Sequence, residues 1–249
     1  IAGVRINAPM LLIHTVAAGG GSICRFDQGR FQVGPESAGA NPGPACYRRG
    51  GPLTVTDCNA MLGKIQPKYF PHVFGPKQNE ALDIESVRYG FARLARMVEA
   101  ETGIQRSNEE IASGFLRIAV ENMANAIKKI SVQRGYDVTE YVLQCFGGAG
   151  GQHACLIADV LGMKTVLINP FAGVLSAYGM GLADVTALRE RSIEIALDVA
   201  IEARLRIELN DLVGQSEDEL AKQNIDSQHI ETYRYVHLRY EGSDTALAV

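Results

Sequence analysis

Residues 141–169, YVLQCFGGAGGQHACLIADVLGMKTVLIN, predict a strand–turn–helix–strand unit and with it the fold class of the chain. Five of the first six residues are apolar, and the run favours a β-strand. Four glycines then follow within residues 147–151, and a helix is predicted over residues 152–161 with Gly162 as its stop. Residues 164–168 are predicted as the second strand. This order of elements is typical of an α/β protein.

The glycine turn of this stretch has two interpretations. A glycine turn that leads into a helix N-terminus can bring free backbone N–H groups to a phosphate or a nucleotide. The same glycines could instead only let the strand and the helix pack closely. A dinucleotide-binding oxidoreductase is disfavoured, because His153 occupies the third glycine position of G-x-G-x-x-G and Asn169-Pro170 stands where an acidic residue would bind ribose.

Composition and charge exclude several classes of protein. The 249 residues are 47% hydrophobic and 21% charged, which is ordinary for one large or two small globular domains. The net charge of −4 without a basic stripe argues against a nucleic-acid partner. Every apolar run is shorter than the roughly 20 residues that span a membrane, so a cytoplasmic protein is predicted. Five cysteines without a C-x-x-C pair predict free thiols.

The first half of the chain predicts a hairpin, a long loop and three helices. After one or two strands over residues 4–16, a second glycine-rich turn (residues 19–22) precedes strands at 23–26 and 30–33. Residues 34–52 are rich in glycine and proline and predict an ordered binding loop or, alternatively, an exposed linker. The helices are predicted over residues 56–62, 83–101 and 107–134, capped by Thr56, Asp83 and Ser107.

The last third of the chain predicts a small-residue segment followed by a strand, a helix and a hairpin. Residues 170–185 are rich in glycine and alanine and predict a close-packed helix or loop. Residues 192–197 alternate as a strand, and residues 198–224 predict a solvated helix interrupted by Gly214. Residues 232–240 and 245–249 predict two paired strands.

Four segments resemble the hydantoinase A/5-oxoprolinase family. They are HTVAAGGGSICRFDQGRFQVGPESAGANPGPACY (residues 14–47), LTVTDCNAMLGKI (53–65), FGGAGGQHACLIADVLGMKTVLINPFAGVLSAYGMGLADV (146–185) and HLRYEGSDTALAV (237–249). The resemblance covers nearly the whole chain, and the phrases GVLSAYGMGLADV and LRYEGSDTALAV are most similar to the 5-oxoprolinase branch.

This resemblance implies a fold similar to the actin, sugar kinase and heat-shock chaperone ATPases, which is ribonuclease H-like. An α/β domain with a mixed sheet and helices on both faces is therefore expected. Residues 1–249 would form one hydantoinase A-type ATPase-like domain, incomplete and truncated at both ends. The acidic D-x-G-G-T phosphate loop expected before residue 14 does not occur in this sequence. The N-terminal domain and a hydantoinase B-like portion are also missing, so the isolated fragment is expected to be inactive.

The resemblance implies ATP-dependent opening of a cyclic amide. In the 5-oxoprolinase branch, 5-oxo-L-proline, ATP and two waters give L-glutamate, ADP and phosphate by way of a phosphorylated amide, with Mg²⁺ and a monovalent cation such as K⁺ as cofactors. The alternatives are an N-methylhydantoinase or hydantoinase A subunit and an acetone carboxylase-type subunit. An alternative of another class is a non-catalytic nucleotide-binding assembly module. An oligomer is expected in each case.

The resemblance also implies roles for individual residues, although it identifies neither a catalytic residue nor a metal ligand. One set of candidates would bind the nucleotide, with the first four near the phosphates and the next four at the adenosine: Gly19, Gly20, Gly21, Ser22, Gly147, Gly148, Gly150, Gly151 and His153. His153 could alternatively be packed at a domain surface. His14 is a candidate proton carrier or ligand, or else a hydrogen-bonded strand histidine. Asp57 is a candidate near Mg²⁺ or, equally, a helix cap.

Overall fold

The computed structural model describes residues 13–198, 200–243 and 246–249. They belong to two compact units, of which the first ends at Tyr178 and the second runs from Gly179 to Val249. Because the description begins at residue 13, most of the segment predicted as one or two strands (residues 4–16) lies outside the described residues. Residues 13–16 have no regular structure.

The first unit begins with the predicted hairpin. Strand β1 (Ser22–Asp27) pairs antiparallel with β2 (Arg30–Ser37). Gln28 and Gly29 form the two-residue turn, and both have positive φ angles, 49° and 73°, as the commonest tight hairpin turn requires. β2 continues four residues beyond the prediction, into the start of the glycine- and proline-rich loop.

The loop is ordered by a short 3₁₀ turn (Ala45–Tyr47) and leads into helix α1 (Val55–Met61). The prediction that Thr56 caps this helix is wrong. Thr54 is the N-cap, because Asp57 three residues later accepts a hydrogen bond from the Thr54 backbone N–H and completes a capping box. The helix therefore starts at residue 55, and Thr56 lies within its first turn.

Two long amphipathic helices supply most of the core. Helix α2 (Ile84–Thr102) is capped by Asp83 and ends at Gly103 in the left-handed conformation, as predicted. Helix α3 (Asn108–Ile130) has the predicted Ser107 capping box, but it ends earlier than residue 134 because the chain tightens into a 3₁₀ turn (Val132–Arg134). The fully buried residues of these helices and of α1 form one core with the hairpin: Val55, Cys58, Val87, Phe91, Ala112, Phe115 and Ala119.

The central stretch forms the predicted strand–turn–helix–strand unit. Strand β3 (Leu143–Cys145) pairs parallel with β4 (Val166–Ile168), and helix α4 (Ala154–Leu161) connects them. The helix begins two residues later than predicted, because residues Gly150–Gln152 form a 3₁₀ turn. Its apolar face packs against α3 in a second core cluster, through Val120, Ala124, Ile157, Ala158 and Leu161.

The second unit is built around one helix. Helix α5 (Leu175–Leu182) contains the boundary between the units, and α6 (Ile201–Lys222) runs through Gly214 without the predicted interruption. Strand β5 (His237–Leu238) pairs antiparallel with β6 (Leu247–Ala248), which confirms the predicted hairpin with much shorter strands. Thr245, the predicted start of the second strand, lies outside the described residues.

The predicted strand at residues 192–197 is not formed. The segment that leads into it is held instead by side chains. Arg189 pairs with Glu219 of α6, and Arg191 pairs with Glu208 and, at 2.8 Å, with Asp211. These ion pairs fix the segment to the helix without backbone pairing, which the alternating sequence pattern alone could not show.

Sheet formation also differs from the expectation. The described strands form three separate two-stranded sheets instead of one mixed sheet with helices on both faces. The hairpin is extended only by an isolated bridge from Ile23 to Thr54, and β3–β4 gains no third strand within the described ranges. None of the helices in these ranges is long and apolar enough to cross a membrane.

Candidate functional site

The two glycine turns border one cleft of the first unit. The first glycine turn (residues 19–22) leads into β1, and the second glycine turn (residues 147–151) joins β3 to the 3₁₀ turn before α4. The cleft between them has a volume of about 270 Å³ and is lined by Gly19, Gly20, Met123, Leu143, Gln144, Cys145, Phe146, Ala149, Gly150, His153, Ala154 and Ile157. None of these side chains carries a carboxylate, an ammonium or a guanidinium group.

The first glycine turn is fixed by hydrogen bonds from helix α1. The Gly20 carbonyl accepts from both the backbone N–H and the hydroxyl of Thr56, each at 2.9 Å. A Cβ atom added to Gly20 would lie 2.8 Å from that hydroxyl, whereas one added to Gly19 would meet no atom within 4 Å. Ser22 is only 4% exposed and Gly21 packs against Ser37. Gly19 and Gly20 are therefore the residues of this turn that face the cleft.

The second glycine turn combines packed and open glycines. Gly147 has a φ angle of 90°, and its N–H donates to the Ala172 carbonyl at 2.7 Å. A Cβ atom on Gly150 would lie 2.8 Å from the Cys145 sulfur. Gly148 and Gly151 have neither constraint, because an added Cβ would meet no atom within 4 Å and their φ angles are not left-handed. Internal packing thus explains two of the glycines, whereas Gly148 and Gly151 are exposed and make no contact that requires glycine.

His153 forms a buried polar pair with Asn59. The imidazole is 3% exposed, the Asn59 side chain is fully buried, and 3.4 Å separates His153 Nε2 from Asn59 Nδ2. His153 Nδ1 and Asn59 Oδ1 are buried without a hydrogen-bond partner among the described residues. Leaving a buried polar atom unsatisfied costs about 1–3 kcal/mol. Such a pair therefore has unused capacity for a bound group.

The electrostatics keep this pair uncharged. Burial, and then the nearby charge of Lys64, lower the pKa of His153 from its ordinary value of 6.5, so the imidazole is neutral at pH 7. The Lys64 ammonium itself donates to the Gln152 carbonyl at 3.1 Å. A positive charge thus lies at the second glycine turn, outside the uncharged lining of the cleft.

Asp57 is placed in a structural position. Its carboxylate is fully buried and accepts four hydrogen bonds: from the backbone N–H groups of Ala45 (3.0 Å), Cys46 (2.9 Å) and Thr54 (2.8 Å), and from the Thr54 hydroxyl (2.9 Å). These contacts support the helix-cap interpretation, since they use the lone pairs that a metal ion would need. Burial, reinforced by the Asp57 charge, raises the pKa of the Cys46 thiol, which therefore stays protonated.

The other predicted features lie away from the cleft. His14 is exposed and is not among the lining residues. All five cysteines are free thiols, and Cys145 lines the cleft. In the part of the chain that the structure describes, no group of three or more His, Cys, Asp or Glu side chains could hold a metal ion.

Sequence reasoning missed two residues that build this site, Thr56 and Asn59. Both lie on α1; the partner of Thr56 belongs to the first glycine turn, and the partner of Asn59 follows the second. Their three-residue spacing places them on one face of the helix. That spacing was visible in the sequence, but it did not reveal what the face contacts.

A parallel strand–helix–strand unit with a glycine turn beside a cleft is typical of an α/β protein, and the strand–helix junction is its candidate ligand site. Comparison with known proteins is more specific. The Hydantoinase/oxoprolinase family profile matches residues 1–189, and the chain belongs to this family. The resemblance seen in the sequence is confirmed.

The similar proteins include curated 5-oxoprolinases. The chain is 42% identical over 256 residues to the 5-oxoprolinase of Dictyostelium discoideum and 44% identical over 255 residues to 5-oxoprolinase 1 of Arabidopsis thaliana. Each match covers 100% of this chain and 20% of the relative, so the chain spans about a fifth of these proteins. The structure is also similar to the ATP-dependent caprolactamase from Pseudomonas jessenii, with a TM-score of 0.67, 32% identity, and coverage of 98% of this chain and 35% of that one.

Proposed function

We propose that this chain is the part of an ATP-dependent cyclic-amide hydrolase that binds the nucleotide, and that the whole enzyme opens 5-oxo-L-proline to L-glutamate while hydrolysing ATP. Family membership, the 5-oxoprolinase relatives and the similarity to an ATP-dependent caprolactamase support the proposal. The proposal includes the ribonuclease H-like fold, in which strands from the rest of the protein complete the sheet around β3 and β4. It also includes an N-terminal domain, a hydantoinase B-like portion and a cytoplasmic location, which suits five free thiols.

The chemistry requires activation of a stable amide. The nitrogen lone pair of a lactam is delocalised into the carbonyl, so water attacks it slowly. ATP supplies a phosphoryl group that converts the amide oxygen into part of a leaving group and makes the ring carbonyl carbon electrophilic. The residues of this chain contribute binding and orientation to that reaction.

The cleft suits a nucleotide because both glycine turns reach it. Gly19 and Gly20 line it on one side and Ala149 and Gly150 on the other, and the exposed Gly148 and Gly151 lie next to these two residues in the chain, outside the lining itself. The uncharged lining, with Met123 and Ile157 among its apolar side chains, suits a nucleoside better than a triphosphate. The phosphates would then lie towards the first glycine turn, as the family resemblance implies.

The described residues do not fit a magnesium site. No carboxylate lines the cleft, and Asp57 is occupied by four donors from its own chain. Mg²⁺ prefers carboxylate and phosphate oxygens, so its protein ligands are not assigned to this chain.

The observation that carries the proposal is that the two glycine turns border one cleft, and Gly148, exposed next to the lining residue Ala149, is the position that tests it. The variant Gly148→Val would place a branched side chain where no protein atom lies within 4 Å of the added Cβ, so the fold is expected to tolerate it. In the full-length protein, calorimetry is expected to show at least a roughly tenfold loss of ATP affinity, because the side chain excludes a ligand group worth more than about 1.4 kcal/mol. Gly214→Val, at an exposed and equally open glycine of α6, is the matched control.

Unchanged ATP affinity of Gly148→Val would contradict the nucleotide site. The substrate is tested separately, by ATP-dependent turnover of 5-oxo-L-proline, N-methylhydantoin and caprolactam by the full-length protein. Turnover of 5-oxo-L-proline alone is expected. Turnover of N-methylhydantoin instead would replace the proposed substrate by that of the sibling branch and keep the reaction class.

A further inference from the structure

Helix α1 contacts both glycine turns. Thr56 donates two hydrogen bonds to Gly20 in the first turn. One turn of helix further along, Asn59 pairs with His153, which directly follows the 3₁₀ turn at the second glycine turn. Just after the helix, Lys64 donates to Gln152 of the same turn. Three side chains of one short segment thus reach two turns that are far apart in the sequence.

We propose that α1 sets the separation of the two glycine turns and that Thr56 and Asn59 are positioning residues for the ligand, acting through Gly20 and His153. The inference rests on the proposed nucleotide site. It states that the distance between the two sides of that site is set by α1, a helix that does not itself line the cleft. The two residues lie three positions apart and therefore share a face of the helix. The adjacent face of the helix packs into the core through Val55 and Cys58, both fully buried.

Asn59 has a feature that a purely structural residue would not need. An apolar side chain would fill this fully buried position without burying an unpartnered oxygen, although it would remove the 3.4 Å contact to His153 Nε2. Asn59 instead leaves Oδ1 unpartnered and holds an imidazole whose Nδ1 is also unpartnered. The energetic disadvantage of two unsatisfied atoms is removed when a bound group satisfies them, so the pair favours the ligand-bound state.

The chemical class of that group follows from the pair. If Asn59 Nδ2 donates to Nε2, His153 retains an N–H at Nδ1 and Asn59 retains a carbonyl oxygen. With the amide turned over, the pair retains a lone pair at Nδ1 and an amide N–H. Either arrangement leaves one donor and one acceptor without a net charge. The matching partner is therefore an uncharged group that both donates and accepts, such as a hydroxyl, an amide or the edge of a purine, reached directly or through one water.

The test compares variants that separate positioning from folding in the full-length protein. Thr56→Val removes the hydroxyl but keeps the shape and the backbone N–H, and Thr56→Ser restores the hydroxyl. Loss of one hydrogen bond is expected to weaken ATP affinity about fivefold in Thr56→Val, whereas Thr56→Ser stays close to the parent. Asn59→Leu, which keeps the volume and removes the polar group, is expected to weaken ATP affinity about tenfold with little change in the unfolding temperature, because it removes the unpartnered Asn59 Oδ1 but leaves His153 Nε2 without its contact. Asn210→Leu on the exposed face of α6 is the control.

Steady-state kinetics add a readout that a merely structural role would not move. In both Thr56→Val and Asn59→Leu the KM for ATP should rise while kcat at saturating ATP is retained. The inference is overturned if Asn59→Leu loses affinity only in proportion to a lower unfolding temperature, or if Thr56→Ser fails to restore binding. It is also overturned if neither variant alters ATP affinity while Gly148→Val abolishes it, a result that leaves the proposed function standing. If Gly148→Val also binds ATP normally, the proposed function fails as well.

Discussion

The substitution Asp57→Asn is expected to release the glycine- and proline-rich loop from helix α1. The Asp57 carboxylate joins the two, because it accepts from the backbone of Ala45 and Cys46 in the loop and from Thr54 at the helix start. Asparagine keeps the shape of the side chain but replaces one acceptor oxygen with an N–H₂ donor. The change therefore tests hydrogen bonding and charge while leaving volume constant.

The magnitude follows from the geometry. Three of the four hydrogen bonds go to Oδ2, so the amide oxygen is best placed there, and the amide nitrogen then faces the Cys46 N–H. Losing one hydrogen bond to a charged group and leaving a buried N–H unsatisfied together cost on the order of 3 kcal/mol. Because each 1.4 kcal/mol is a factor of ten, local opening of the loop should become about 100-fold more frequent.

Hydrogen exchange detected by mass spectrometry measures this opening in the full-length protein. Peptides that contain Ala45 and Cys46 are expected to exchange about 100-fold faster in Asp57→Asn. Asp159→Asn, at an exposed carboxylate of α4, should leave the same peptides unchanged. Normal protection of the loop together with lost turnover would refute the reasoning, because Asp57 would then act on the reaction and not on the loop.

Three further outcomes are expected. Gly150→Ala should weaken ATP affinity in calorimetry, and Cys145→Ala in the same protein should restore most of it, because the added Cβ would lie 2.8 Å from the Cys145 sulfur; no recovery would contradict that contact. Burial raises the pKa of Asp83, but hydrogen bonds from Ser86 and the charge of Arg48 together have the larger, opposite effect. The net result is a pKa below the ordinary value of 3.8. The resulting stabilisation is present above that pH and is lost as the pH falls through the folded-state pKa, so the acid sensitivity of the urea midpoint between pH 2 and 6 should decrease in Asp83→Asn; an unchanged slope would exclude this group. Ser107→Ala removes the acceptor of the Glu110 N–H and should speed exchange in the first turn of α3 by the equivalent of about 1 kcal/mol, whereas Ser107→Asp should retain protection.

The elements that the sequence predicted well are those whose determinants are local. Caps at Asp83 and Ser107 and the apolar period behind them define α2 and α3 within one stretch of chain. The same holds for the strand–turn–helix–strand unit, whose glycines mark both ends of α4. The strand predicted at residues 192–197 failed because arginines before it bind α6, and no local pattern encodes that contact.

In the candidate site, too, the features set by local sequence were predicted and those set by distant contacts were not. The two glycine turns were predicted from their motifs, and the structure brings them to one cleft. Spacing could not distinguish open glycines from packed ones, because the distinction depends on Cys145 and Thr56 beside them. Asn59 could not be found at all from its own segment, since its partner follows the other turn.

Helix α1 shows why such a residue is invisible in the sequence and informative in the structure. With seven residues, Val55–Met61, it is too short to be stable alone and depends on its contacts. Val55 and Cys58 bind it to the core, and Asp57 binds it to the loop. Asn59 adds no comparable stability, because it leaves a buried oxygen unpartnered. A polar group that weakens its own core at a cleft is typical of a functional position. Asn59→Leu should therefore keep stability close to that of the parent while lowering ATP affinity, and a positioning residue is distinguished from a structural one by loss of affinity without loss of stability.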